Sequence, residues 1–376
     1  MRASFLIDAI QAQGAGFFAG VPDSLLAPFC GELLARLPIG PNHRVAANEG
    51  ACAALAAGEY LATGRPACVY LQNSGLGNLV NPVCSLTHPE VYAIPMILVV
   101  GWRGQPGLPD EPQHRFQGRI TLDTLRLLEI PSLVVDADLS EADFAPRFAD
   151  LCAALKAGRA VAVVVKKGAL TGPGLRPADN GRALSREEAI GRVAAALPGN
   201  ARVVASTGKI SRELFEARER LGQGHGRDFL TVGSMGHSVS IALQIALRRP
   251  ERPIVCLDGD GACLMHLGAL SLVGASAAPL VHIVLDNGAH ESVGGMPTVS
   301  ERMDLCAVAR GLGYAAAFDV DGAQALSLAL ERALAGPRPA FIRARVALGS
   351  RADLGRPTRA PIENRNDFMH GLEADR

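Results

Sequence analysis

The sequence predicts an α/β protein built as two doubly wound parallel-sheet domains. Short apolar runs such as Ile254-Val255-Cys256-Leu257 stop at turns rich in Gly, Asp and Asn, the pattern of strands buried on both faces. Between them lie segments whose apolar residues return at helical spacing, so strands alternate with helices and can pair in parallel through crossovers. A chain of 376 residues suits about two domains of ordinary size, and Gly 41 with Pro 24 supplies the many turns such a fold needs.

Composition narrows the function classes. Thirty-seven basic residues balance 37 acidic ones without a basic run, which leaves no electrostatic footprint for nucleic acid. The eight cysteines form no CxxC pair, and several sit in apolar runs as small hydrophobes, which points to a reducing cytoplasm. Asp8, Gln11 and Gln13 interrupt what would be the apolar core of a signal peptide, and no run reaches membrane-spanning length. The expectation is a soluble, cytoplasmic α/β enzyme.

In the first half, Phe5, Leu6 and Ile10 open an amphipathic helix, and residues 17–19 form a strand. In the loop that follows, Pro22 excludes helical geometry at Val21, and Asp23 or Ser24 can cap the next helix. Gly14, Gly16 and Gly20 miss the GxGxxG spacing, so a dinucleotide fingerprint is not supported. Residues 44–47 run as a strand into Asn48-Glu49-Gly50 and an alanine-rich helix over 51–61. Glu49 therefore stands at a strand end and a helix start, where the helix dipole favours a carboxylate. Its small, apolar neighbours are expected to desolvate it in part, which suits it to carrying a proton. The strand over 66–71 leads to a polar loop, residues 72–78, suited to close approach of a ligand. The strand over 94–100 leads to a long loop through residue 118 carrying Trp102 as a packing anchor, with Arg103, His114 and Arg115; long loops of this kind are more often functional than idle. Strands over 132–136 and 160–165 complete a domain of residues 1–168, and 169–182 reads as a linker.

The second domain is expected over 183–348, with a polar tail over 349–376. After a helix from residue 186 and a strand over 202–205, the turn Ser206-Thr207-Gly208-Lys209 opens another helix, a geometry that presents backbone N–H groups to phosphate. A strand over 229–232 leads into Gly233-Ser234-Met235-Gly236-His237. The richest stretch covers 254–297: a strand, the turn Asp258-Gly259-Asp260-Gly261, a helix over 262–274, a strand over 280–285, and Asp286-Asn287-Gly288. Parallel strands bring Asp260 and Asn287 to the same sheet edge, where open α/β sheets bind ligands. Carboxylate and amide oxygens there suit a hard cation that completes its shell with phosphate oxygens and water. Strands over 316–320 and 340–346 follow.

Five pieces, GVPDS, ANEGA, STGKIS, GSMGH and GDGA with DNGAHESVGGMPT, occur in the order seen in the thiamine diphosphate-dependent decarboxylases, which the chain resembles over nearly its whole length. The resemblance implies a pyrimidine-binding first domain, a diphosphate-binding second domain, and the cofactors thiamine diphosphate and Mg²⁺. It implies that Glu49 hydrogen-bonds the aminopyrimidine, that Met235 wedges the cofactor into a bent shape, and that Gly233 offers its carbonyl to the same ring. The metal would be held by Asp260, Asn287 and the main-chain carbonyl of Ala289, with Gly208, Lys209, Gly261, Ala262 and Ser292 around the diphosphate. Lys209 departs from the hydroxyl residue common at that turn in larger relatives. Asp23, His114 and His290 join Glu49 and Met235 as catalytic candidates. DNGAHESVGG, QNSGLGN and GWRGQPG are most similar to members acting on a 2-keto acid with a 3-phosphonate group, in phosphonate biosynthesis. That activity is a carboxy-lyase reaction releasing CO₂ and an aldehyde; a sulfonate substrate is the alternative. Arg103, His114, Arg115 and His290 are the candidate anion donors. In this family the cofactor lies between subunits, which implies a homodimer or higher homo-oligomer with neither nucleic acid nor membrane as partner.

Overall fold

A computed structural model describes residues 1–175 and 179–373. The chain divides into two units, Met1–Pro177 with Val293–Met296, and Ala178–Ser292 with Pro297–Arg376. The division falls inside the expected linker, of which residues 176–178 lie outside the described residues, as do 374–376 of the expected tail.

In the first unit six parallel strands, β1 (Phe18–Gly20), β2 (His43–Val45), β3 (Ala67–Gln72), β4 (Met96–Gly101), β5 (Ser132–Val135) and β6 (Val161–Val165), are ordered β2-β1-β3-β4-β6-β5. The order reverses direction about β1 and β3, so helices cover both faces and β4 and β6 are buried along their whole length. Gln72 pairs with Gly101, which sets the ends of β3 and β4 side by side. In the second unit β7 (Arg202–Ala205), β8 (Asp228–Leu230), β9 (Ile254–Gly259) and β10 (Leu280–Asp286) precede a two-residue strand β11 (Ala289–His290), and β12 (Met296–Pro297) falls at the division, with Met296 counted in the first unit. Then come β13 (Ala316–Asp321) and β14 (Ala340–Arg345), and the large sheet runs β13-β14-β10-β9-β7-β8, again all parallel. Val255, Leu257, Ile283, Leu285 and Ile342 pack one face of it into the core of this unit.

Four local expectations change. The loop after β4 is shorter, because a helix Pro112–Leu127 starts at Pro112, whose fixed φ suits a first helical turn; His114 therefore lies on a helix and is buried. The polar loop after β3 is helical, a 3₁₀ turn Asn73–Gly75 followed by the helix Leu76–Pro82. The single helix expected over 262–274 is two, Asp260–Met265 and Ala269–Ser276, broken at His266, which turns to pack on Gly236 so closely that a Cβ there would lie 2.6 Å from its ring. The tail is not simply a surface strand of polar chain. It forms a helix Pro361–Glu373 in which Asn364 accepts from Leu230 N–H at 3.0 Å and donates to the Asp228 carbonyl at 2.9 Å, closing the free edge at β8.

Candidate active site

In the second unit, the register that sets Leu285 opposite Gly259 puts Asp260 and Asp286 at the ends of neighbouring strands. Asp260 begins the helix Asp260–Met265 and is 3% exposed. Its Oδ2 accepts from Thr298 Oγ1 at 2.6 Å and Ser300 Oγ at 3.3 Å, while Ser300 Oγ also donates to Asp286 Oδ1 at 2.7 Å. Burial first, and Asp286 second, push Asp260 up to about 7 despite the Thr298 bond. Asp286 itself pairs with the buried Arg343 at 2.7 Å. A dry carboxylate beside a second one is a place where a divalent cation offsets charge that the protein leaves unbalanced. The donor set of Asp260, Asn287 and the Ala289 carbonyl is all oxygen and fits Mg²⁺.

Asn287 is oriented from both ends. Its Nδ2 donates to Glu291 Oε2 at 2.8 Å and its Oδ1 accepts from Ala289 N–H at 3.1 Å, so the amide cannot turn over without losing both bonds. Asn180, from the expected linker, holds the Asn287 carbonyl at 3.1 Å. Glu291 is the hub of this corner. It accepts from Arg186 Nη1 at 2.7 Å and Lys209 Nζ at 2.8 Å, and Arg186 in turn forms a two-bond fork to Glu213 at 2.8 Å. Burial opposes ionisation of Glu291, yet Arg186 and Lys209 pull it down to about 2. Lys209 is thus an aimed charge rather than a solvated lysine.

Gly208 caps the helix Lys209–Arg220 with φ 91°, a left-handed conformation glycine adopts without strain, and a Cβ there would lie 3.5 Å from Ser292 Oγ. Thr207 Oγ1 accepts from Gly233 N–H at 3.0 Å, tying this turn to the one carrying Met235, which is half-buried. A Cβ on Gly261 would meet the His290 ring at 2.9 Å and Met235 Cε at 3.5 Å. Met235, Gly261 and His290 are therefore neighbours, and Ala262 follows Gly261, buried on the same helix. Burial pulls His290 down to about 4, so it is a neutral imidazole at pH 7.

In the first unit, Asn48 rather than Glu49 caps the helix Glu49–Thr63, accepting from Ala51 N–H at 2.9 Å. The buried Glu49 carboxylate is free of that duty. Its Oε2 accepts from Asn78 Nδ2 at 2.7 Å, and its Oε1 would lie 2.2 Å from a Cβ on Gly75, so only glycine lets the chain pass. Asp23 is not a helix cap either: the helix Ala27–Arg36 has Leu26 at its N-cap with no side-chain bond. Asp23 is 0% exposed, accepts from Gln72 Nε2 at 2.6 Å and Leu25 N–H at 3.2 Å, and burial pushes it up to about 6 against Gln72 and Arg103. Ser74 Oγ donates to Gln72 Oε1 at 2.7 Å and extends the chain of bonds.

The candidate anion donors divide. Arg103 is spent on a bidentate pair with Asp110, at 2.6 and 2.9 Å. Burial, then Arg103, pulls His114 down to about 4; its Nδ1 is buried without a hydrogen-bond partner. Arg115 is exposed and donates through Nε to the Asp110 carbonyl at 3.1 Å. Sequence reasoning missed Glu291, Arg186 and Glu213, and also Thr298 and Ser300, while Gln72 and Asn78 end the loop over 72–78 read as suited to a ligand without being given a role. The runs HES and PTVS lay next to the motif as signals for the nearer ones; Arg186 stands too far away in the chain to be found from spacing.

Residues 2–127 match the family described as thiamine pyrophosphate enzyme, N-terminal TPP binding domain, and residues 206–344 match thiamine pyrophosphate enzyme, C-terminal TPP binding domain. The chain is 39% identical to a phosphonopyruvate decarboxylase of Streptomyces viridochromogenes and 37% identical to one of Streptomyces hygroscopicus. Each alignment covers 96% of this chain and 92% of the relative. A sulfopyruvate decarboxylase of Methanosarcina acetivorans is 30% identical over 69% of this chain and 70% of its own length. With near-complete coverage by such relatives, the chain belongs to the phosphonopyruvate decarboxylase family of thiamine pyrophosphate enzymes.

Proposed function

We propose that this protein is a cytoplasmic carboxy-lyase that uses thiamine diphosphate and Mg²⁺ to convert 3-phosphonopyruvate to phosphonoacetaldehyde and CO₂ in phosphonate biosynthesis. The observation that carries this reading is the likeness to phosphonopyruvate decarboxylases across 96% of the chain. Its companions are a dry carboxylate corner of matching donor chemistry and the buried, uncapped Glu49. No helix among the described residues is long and apolar enough to cross a membrane.

When bound, the thiazolium ring supplies the electron sink that a 2-keto acid lacks for losing CO₂. Asp260, Asn287 and the Ala289 carbonyl would hold the metal, and Gly208, Lys209, Gly261, Ala262 and Ser292 would line the diphosphate. Glu291 keeps Lys209 and Asn287 aimed. Glu49 would hydrogen-bond the aminopyrimidine, the Gly233 carbonyl would accept from the same ring, and Met235 would pack against the cofactor. Asp23, held up at about 6, is poised to give and take a proton near neutrality, with Gln72 fixing its carboxyl group and Ser74 fixing Gln72. His114 and His290, neutral at pH 7, act as hydrogen-bond donors or acceptors and not as fixed cations.

Sulfopyruvate is the second reading, favoured by the Methanosarcina relative. The cofactor roles are tested with Glu49→Gln, which preserves size and removes the exchangeable proton. A loss in kcat of roughly 10²- to 10⁴-fold is expected, with circular dichroism unchanged. Undiminished kcat in that variant would contradict the role of Glu49.

A further inference from the structure

Cys256, Asp258 and His282 have no part in the chemistry of the cofactor corner, yet their placement is that of a ligand set. Cys256 and Asp258 are two residues apart on β9 and so point to one face of the sheet, and His282 on β10 stands in register with Cys256 on that same face. All three are 0% exposed. One sulfur, one carboxylate oxygen and one ring nitrogen from them lie within 4.8 Å of one another.

The outer atom of each polar ligand is already engaged. Asp258 Oδ1 accepts from Gly259 N–H at 3.0 Å, and His282 Nδ1 lies 3.2 Å from the hydroxyl of the buried Tyr314. The inner atoms are not: Asp258 Oδ2 and His282 Nε2 face each other at 3.4 Å, and neither has a hydrogen-bond partner. In the tautomer whose Nδ1–H donates to Tyr314, Nε2 carries a lone pair and two acceptors oppose each other in a dry place beside a thiol; in the other tautomer Tyr314 donates to Nδ1 and a single proton on Nε2 faces Asp258 Oδ2. The first arrangement calls for a cation between them.

We propose that Cys256 Sγ, Asp258 Oδ2 and His282 Nε2 form a zinc-binding site. Mixed sulfur, nitrogen and oxygen donors suit the borderline-soft Zn²⁺ and do not suit Mg²⁺, which takes oxygen. Tyr314 and the Gly259 amide serve as the outer partners that orient metal-binding His and carboxylate groups. On binding, the Cys256 S–H bond breaks, the thiolate keeps the electron pair for the metal and the proton leaves to solvent; no group changes oxidation state. The ion pins β9 to β10 directly beneath the turn that carries Asp260. It leaves the Mg²⁺ corner to its own ligands.

The test refolds the full chain with thiamine diphosphate and excess Mg²⁺, with trace Zn²⁺ supplied, then dialyses it and measures zinc per chain by atomic emission. One equivalent is expected in the wild type and in Cys84→Ser, which removes the exposed thiol, and none in His282→Gln. Co²⁺ in place of Zn²⁺ is expected to give a near-ultraviolet thiolate-to-metal band in the wild type that Cys256→Ala abolishes. Should the core variants fail to fold, the wild-type cobalt spectrum and zinc count decide. A folded wild type that retains no zinc and shows no such band, with a proton alone shared between Asp258 and His282, overturns the proposal. So does full zinc retention in folded His282→Gln.

Discussion

At the scale of single residues, this protein keeps several carboxyl groups in places that burial makes costly, and two of them give separate predictions. Asp23 has a folded-state pKa of about 6 against roughly 3.9 when unfolded. The folded state therefore binds more proton than the unfolded state between those values, and stability contributed by this group falls as pH rises through that window. Asp23→Asn, which removes the titration, should gain stability relative to the wild type between pH 4 and pH 7, by on the order of 2 kcal/mol. Denaturant titrations at the two pH values measure it, and an equal difference at both would contradict the assignment. Glu291 works in the opposite sense, as a charge whose partners hold it ionised. Glu291→Gln should leave Arg186 and Lys209 short of a counter-charge and let the Asn287 amide turn. A stability loss of about 3 kcal/mol is expected. A roughly tenfold higher cofactor concentration for half-maximal rate, about 1.4 kcal/mol, is expected with it. A purely structural Glu291 would lower Tm and leave the cofactor requirement where it was.

At the scale of elements, the strands and the turns at their carboxyl ends were legible because parallel buried strands are written as apolar runs that stop at Gly, Asp and Asn. Asp260 and Asn287 could be brought to one edge on that argument alone. The elements read differently were those set by contacts distant in sequence. The break at His266 depends on the Gly236 turn, and the shortened loop before His114 on the close packing of Gly104 against that helix, where a Cβ would touch the His114 carbonyl. Asp23 read as a possible cap and Glu49 as a carboxylate favoured by the helix dipole because both roles are local; the helices have Leu26 and Asn48 at their N-caps, and only the positions of Gln72 and Asn78 say what each acid does instead. Gly75 provides the matching prediction. A Cβ at that position would lie 2.2 Å from Glu49 Oε1. Gly75→Ala should therefore displace the carboxylate, and a misplacement of about 1 Å costs on the order of 10²-fold in rate. Steady-state kcat with a melting curve checks this, and full kcat in the folded variant would refute it.

At the scale of the whole molecule, two parallel sheets each gather their chemistry at the carboxyl ends of the strands, the place where such folds bind ligands. A homodimer or larger assembly is expected, and sedimentation at working concentration measures it. Removal of divalent metal by chelation should abolish activity, and added Mg²⁺ with thiamine diphosphate should restore it. Substrate choice depends on donors that hydrogen-bond an anion without a net charge of their own, because Arg103 is neutralised by Asp110 and the buried histidines are uncharged. A pocket built for a multiply charged anion leaves donors unpaired around the methyl group of pyruvate, at about 1 to 3 kcal/mol each. The most direct measurement is therefore CO₂ and aldehyde release from 3-phosphonopyruvate, sulfopyruvate and pyruvate, with Mg²⁺ and thiamine diphosphate supplied. The account predicts the highest kcat/KM for 3-phosphonopyruvate and the lowest for pyruvate; comparable values for all three, or a clear lead for sulfopyruvate, would contradict it.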